Sequence, residues 1–374
     1  MRKGWEYKKL GDCTQILDSQ RKPVTKKDRK SGIYPYYGAT GIQDYVDKYI
    51  FDGRYVLVGE DGAKWSSFTQ SAFIIEGKTW VNNHAHVLRT NDFLVDSFLV
   101  YFLNYSDLDS YISGAIIRKL TQASLRNIDI PLPPKSTQLA IVSELDKINE
   151  LIRLKKEQLK DFDNLAQSLF YEMFGDPVEN EKGWEVKKIG DLALVKTGPF
   201  GSMLHKEDYI CDGIPLVNPV HMKDFKIVPD LDFTISKEKA SELENYLLKS
   251  NDVVFARRGD IGRCAIVSEA EQGFICGTGS LFVRFSKEIE SIFIMYIIRC
   301  DSFSKHLISK AKGATMLNIN SNTIADLRIP LPPLSLQRLF AQRIEQIERE
   351  KSEVQKSIQD LETLLASRMQ YWFE

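Results

Sequence analysis

His84 and His86 stand two residues apart in the segment WVNNHAHVLR. On a β-strand that spacing turns both imidazoles to one face, where they could share a metal ion if acidic side chains joined them. The sequence offers no identifiable third ligand. The expectation is therefore no metal, with the two histidines either buried or facing a nucleic acid. Asp260 and Glu269 could act as a carboxylate pair, but the chain has 51 acidic residues and nothing sets these two apart. Motifs with a firmer chemical meaning are missing: there is no G-x-x-x-x-G-K-[ST] loop, no H-E-x-x-H and no G-x-S-x-G elbow. The glycine runs GDIG at 259–262 and GTGS at 277–280 are too short for a nucleotide fingerprint and read as turns. IPLPP lacks both the polar residue and the aromatic of the Asn/Asp-Pro-Pro-aromatic loop with which amino-methyltransferases hold a base. No catalytic residue and no cofactor motif is singled out by these residues.

Basic residues interleaved with aromatics are better represented. Arg21, Lys22, Lys26, Lys27, Arg29 and Lys30 precede Tyr34, Tyr36 and Tyr37. Later, TGPFGS at 197–202 is followed by His205 and Lys206, and Arg257-Arg258-Gly259 comes further on. Gly/Ser backbone amides and arginine side chains are groups that grip phosphates and read guanine edges. For an isolated charge run, a solvated surface loop is the favoured reading. The candidate contacts to a nucleic acid are Arg21, Lys22, Lys26, Lys27, Tyr36, Tyr37, Lys64, Arg118, Lys119, Ser202, Lys206, Arg257, Arg258 and Lys312. Arg118, Lys119 and Lys312 flank a repeated Gly-Ala pair and could instead serve a junction between domain and helix.

The elements that must position these residues follow from length and repetition. A chain of 374 residues suggests two or three domains. With 43% hydrophobic and 27% charged residues, it reads as an ordinary globular protein. No stretch approaches the ~18 apolar residues of a membrane span, and MRKGWEYKKLGDC has no apolar run of a secretory leader, so a cytoplasmic protein is expected. Cys13, Cys211, Cys264, Cys276 and Cys300 are odd in number and never spaced C-x-x-C, which argues for reduced thiols.

A net charge of -1 argues against a nucleic-acid binder when taken whole. Divided by region, 1–135 carries 19 basic and 15 acidic residues, 136–182 carries 6 and 10, 183–334 carries 19 and 19, and 335–374 carries 6 and 7. The acidity of the first half lies in its helical segment, leaving a basic domain free to face a polyanion.

GWEYKKLGD at 4–12 returns as GWEVKKIGD at 183–191, an offset of 179. IPLPP at 130–134 returns at 329–333, an offset of 199 that continues to Phe174 and Phe373 and also pairs Gly114-Ala115 with Gly313-Ala314. The chain is two copies of one unit, alike at their ends, with the middle of the second longer by the 20 residues separating 179 from 199. Each copy is read as an α+β globular domain followed by a long helix. The expected divisions are 1–135, 136–175, a linker at 176–182, 183–334 and 335–374. Ser136 and Ser335 are expected to cap the helices, and Gly175 to end the first. Leu145, Ile148, Ile152, Leu159, Phe162 and Leu169, matched by Ile344, Ile347, Val354, Ile358, Leu361 and Leu365, repeat at spacings of 3 and 4 as a coiled-coil seam. The two seams are expected to pair antiparallel about an approximate twofold axis.

Two variable α+β regions, each opened by GWE-x-KK-[LI]-GD and closed by Gly-Ala … IPLPP … Gln before a long helix, resemble the specificity subunit of a type I restriction–modification system. TGPFGS, GIPLVNP at 213–219 and RRGDIGR at 257–263 also resemble the variable half of such subunits. The resemblance implies two target-recognition domains, each reading half of a split double-stranded DNA site, and paired helices that set the gap and dock methyltransferase and restriction subunits. It implies a non-catalytic chain whose partners carry the adenine methyltransferase and ATP-dependent endonuclease activities, and no membrane. A target-recognition subunit of a related type II system and a coiled-coil protein scaffold remain as alternatives.

Overall fold

The computed structural model describes residues 5–114, 116–200, 202–311 and 318–374. The chain divides into two compact units, Met1–Gln158 with Val354–Glu374, and Leu159–Glu353. The repeated ends of the sequence copies are brought together in each. Glu6–Lys9 pairs antiparallel with Asp129–Leu132, Glu6 opposite Leu132. Glu185–Lys188 pairs with Arg328–Leu331 in the same register, Glu185 opposite Leu331. GWE-x-KK and the start of IPLPP are thus two strands of one ribbon, and each needs the other to satisfy its backbone.

The first domain is built on a six-stranded sheet with the order Thr14–Ile16, Ala85–Thr90, Phe51–Gly59, Ala72–Val81, Ser31–Gly38, Gly41–Val46. Only the pairing of Ser31–Gly38 with Ala72–Val81 is parallel. Helix Asp96–Tyr105 buries Phe98, Leu99 and Leu103 in a core shared with Val56, Val58 and Leu88 of the sheet. The second domain repeats the first four strands of that order as Ala193–Thr197, Ser280–Phe285, Val253–Ala256, Cys264–Ile266, all antiparallel. A separate four-stranded sheet adds Tyr209–Ile210, Thr234–Ile235, Ile214–Val217 and Ile275–Cys276. Middles that do not align in sequence therefore share a skeleton. Strands tolerate any apolar side chain on their buried face, so the pairing order outlasts the residues.

The long helices are Lys135–Phe174 and Leu334–Phe373. Ser136 and Ser335 lie inside the first turn rather than at the caps. Pro134 O accepts from the backbone N–H groups of Thr137 and Gln138, and Pro333 O from those of Leu336 and Gln337. The side chain that locks each start is a buried glutamine. Gln138 donates to Phe93 O and Pro133 O and accepts from Val95 N, while Gln337 donates to Pro332 O and accepts from Glu290 N. Gly175 ends the first helix at φ +77, where a Cβ would meet the Glu181 carboxylate at 2.9 Å.

In each unit the helices pair antiparallel, because partners on one rise in number as those on the other fall. Glu144 meets Arg368 and Lys156 meets Glu362 in the first unit; Asp163 meets Lys351 and Phe170 meets Phe340 in the second. Leu145, Ile148, Ile152, Ile344, Ile347, Val354 and Ile358 are buried on the seam. Leu159, Phe162, Leu169, Leu361 and Leu365 are half-buried. Phe170, Phe174 and Phe340 carry more of the packing than the heptad pattern suggests. They are sealed against Phe293 and Tyr296, so helix and domain share one core.

All five cysteines are free; four are buried and Cys211 is exposed. Among the described residues no helix is long and apolar enough to cross a membrane.

Candidate nucleic-acid interface

In the second domain four loop motifs that are scattered in sequence converge. Gly198 of TGPFGS donates to Ser280 O at 3.0 Å, and a Cβ on Gly198 would lie 2.0 Å from Gly277 O. Gly277 donates to Val217 O, and Gly279 donates to the side-chain oxygen of Asn218 in GIPLVNP. Arg257 of RRGDIGR donates its backbone N–H to Gly279 O, and its guanidinium stands 5.9 Å from the exposed Phe200 ring. Arg263 donates to Pro219 O. GTGS and TGPFGS are glycine-rich because their backbones touch, and no side chain fits between them.

The same place in the first domain can be identified bond by bond. Leu120 donates to Glu60 O as Ile319 donates to Arg257 O, and Glu60 donates to His84 O as Arg257 donates to Gly279 O. Asp61 bridges to Lys119 as Arg258 bridges to Asn318. Glu60-Asp61 and Arg257-Arg258 are therefore equivalent, with opposite charge.

Around Glu60 the first domain closes a polar network. Arg21 reaches Glu60, Asp18 and Ala85 O, and Lys119 meets Glu60 at 2.7 Å. His86, fully buried, places Nδ1 2.6 Å from Asp18 and Nε2 2.8 Å from Leu120 O. Both ring nitrogens thus face acceptors. Burial pushes the Asp18 and Glu60 carboxyls up, but the cations beside them outweigh it and hold both below the ordinary range. For Asp18 these are the His86 hydrogen bond and charge with Arg21, and for Glu60 they are Lys119 and Arg21.

Asp18, Glu60 and His86 place ligand-type atoms within 4.8 Å of one another. Arg21 and Lys119 already hold those carboxylates and both His86 nitrogens are engaged, so this donor set is filled by the chain's own groups. The expected shared face of His84 and His86 is not found. His84 lies in the turn before the strand and pairs with Asp61, while His86 points into the core.

The other candidates separate by exposure. Lys22, Lys26, Lys27, Lys64, Ser202, Lys206 and Arg258 are exposed, and the charged ones have no ion pair among the described residues. Arg118 is exposed but pairs with Asp109, and Lys119 is held by Glu60. Arg21 and Tyr36 are engaged within the domain. Arg21 serves the buried network. Tyr36 is 1% exposed, its hydroxyl accepts from Val24 N, and Arg29 covers its ring at 4.2 Å, so it pins the basic loop from below. Tyr37 is half-buried against Phe73. Lys312 lies outside the described residues.

Beside Lys64 and Arg118 a concave surface of about 450 Å³ runs between Trp65 and the protruding Ile116 and Ile117. Sequence reasoning missed Asp18, Glu60 and Asn318. The 199-residue offset, which sets Lys119 on Asn318, was the signal that could have found the last.

The profile of the type I restriction modification DNA specificity domain matches residues 2–161 and again 181–363. A putative type I restriction enzyme specificity subunit of Haemophilus influenzae is 28% identical over 349 residues, covering 92% of this chain and 87% of its own. The MjaVIII specificity subunit of Methanocaldococcus jannaschii is 22% identical over 394 residues, covering 96% and 92%. The crystal structure of the type I S subunit from M. genitalium aligns over 99% of this chain and 96% of its own, with a TM-score of 0.57 at 13% identity. A chain from a structural study of type I R-M complex assembly and conformational transition aligns over 100% and 98%, with a TM-score of 0.63 at 18% identity. At those identities the structural matches speak for the fold.

Proposed function

The chain belongs to the type I restriction–modification DNA specificity family, and from that premise we propose that it reads a bipartite, asymmetric DNA target, one half-site to each domain. The observation that carries this reading is the shared strand skeleton with opposite charge at one loop position, Glu60-Asp61 in the first copy and Arg257-Arg258 in the second. Two readers on one framework with different loops present different donors and acceptors, so the half-sites differ in sequence.

The exposed Lys22, Lys26, Lys27, Lys64, Lys206 and Arg258 supply phosphate and base contacts. The paired helices hold the half-sites at a set spacing and dock the methyltransferase and restriction subunits, which bring the chemistry; this chain contributes recognition alone, in the cytoplasm. It binds DNA weakly alone and tightly in complex.

Mapping methylated adenines in the host genome by single-molecule sequencing tests the reading. A split motif with unlike halves, abolished when this gene is deleted, is the expected result. An uninterrupted palindrome overturns it.

A further inference from the structure

Where the first domain closes its own charges, the second leaves one open. Glu60 meets Arg21 and Lys119, whereas the equivalent Arg257, 8% exposed, has no carboxylate partner among the described residues. Its Nε is one of five buried side-chain polar atoms there with no hydrogen-bond partner. Two of the other four are Ser280 Oγ and Asn318 Oδ1, on residues beside it: Ser280 pairs with Ala256 across the sheet, and Asn318 bridges to Arg258.

A buried guanidinium and two buried polar groups left open together are costly unless something arrives to satisfy them. Burial, and then the charge of Arg258, already weaken the hold of Arg257 on its proton, so the site gains from an acceptor brought close. Phe200, 61% exposed, has its ring centroid 5.9 Å from the guanidinium. The cluster holds donors and an amide that also accepts. A phosphate or a carboxylate offers acceptors only, which suits Arg257 and Ser280 but not Asn318 Oδ1. A base-pair edge in the major groove offers both kinds.

We propose that Arg257 reads a guanine in the half-site of the second domain, donating to its O6 and N7, while Ser280 and Asn318 meet the adjoining base edge; this rests on the DNA-reading role proposed above.

The test uses the chain assembled with its methyltransferase partner and duplexes carrying the methylated motif, in which each guanine is replaced in turn by 7-deazaguanine. One guanine in one half-site is expected to lose roughly 5- to 150-fold in affinity on replacement. In the Arg257→Met complex that replacement is expected to have no further effect, and the same base pair is expected to become degenerate in the methylation pattern. Binding should keep its wild-type salt slope.

Specific binding of the unmodified motif with no guanine sensitive to 7-deaza replacement overturns the guanine contact while leaving the DNA-reading role standing. A uniform loss across sequences in Arg257→Met, with a salt slope smaller by about one, makes Arg257 a phosphate contact and likewise overturns it. Absence of any sequence-specific binding by the complex overturns both. The base-replacement arm needs no variant, so misfolding of Arg257→Met does not spare the proposal.

Discussion

Asp18 and His86, 68 residues apart in sequence, meet at 2.6 Å beneath the sheet edge of the first domain, with Arg21 on the same carboxylate. Asp18 and Glu60 are both held below their ordinary carboxyl values, so their contribution is fully present above about pH 4 and is lost as pH falls through the lowered values. Acid should therefore loosen the first domain. Hydrogen exchange at Val87, whose N–H donates to Asp18, reports it directly. Asp18→Asn should cost about 3–5 kcal/mol near neutrality, because the Arg21 guanidinium loses a carboxylate partner in a buried network, and should flatten this acid dependence. Unchanged Val87 exchange in the variant would refute the assignment.

Gly198 has no room for a methyl group, since its Cβ would stand 2.0 Å from a backbone oxygen that cannot swing away. Gly198→Ala should cost about 1–3 kcal/mol by chemical denaturation. Leu194→Ala, at a side chain 53% exposed, should stay within about 0.5 kcal/mol. Equal effects of the two changes would show that the Gly198–Gly277 approach is not rigid.

Ile358 is 1% exposed and belongs to neither domain core. Ile358→Asp should disrupt helix pairing and partner assembly while both domains keep their folded near-ultraviolet signals. Phe340→Ala acts differently, because Phe340 is packed into the second domain's own core. It should cost about 3–5 kcal/mol and unfold that domain together with the seam. Survival of assembly in Ile358→Asp would contradict the pairing.

Lys22, Lys26 and Lys27 are free to meet phosphates, whereas Arg21 beside them is not. Replacing the three lysines by alanine should weaken DNA binding of the complex about equally for all sequences. It should lower the salt slope by about 0.9 for each phosphate that a lysine no longer neutralises. Arg21→Met should instead destabilise the first domain and leave Glu60 and Asp18 short of a cation. A changed sequence preference in the triple variant would mean that these lysines read bases.

The repeat, the long helices and their seam were legible in the sequence, because each is written in local periodicity or in a fixed offset. The strands Phe51–Gly59, Ala72–Val81, Val253–Ala256 and Ser280–Phe285 hold apolar runs bounded by Gly or Asp, which leave a chain few other choices. Gly175 carried its role in its type, whereas the lock that Gln138 and Gln337 form depends on backbone groups brought from elsewhere and was not legible. The packing of Phe170 and Phe340 escaped the heptad reading because those rings answer to the domain core as well as to the facing helix.

The candidate site was legible only as a set of residue types. Arg21 and Lys22 look alike in sequence, yet one is consumed by Glu60 and the other is free. That difference is made by the strand Phe51–Gly59, whose end brings Glu60 to one and not to the other. Arg257 and Glu60 share no sequence signal, and only their backbone bonds show that they hold the same place. Sequence by itself determined which elements form, since propensity and periodicity act over a few residues. Tertiary structure decided which charges are spent inside the protein and which remain for a ligand, because that depends on contacts between segments tens of residues apart.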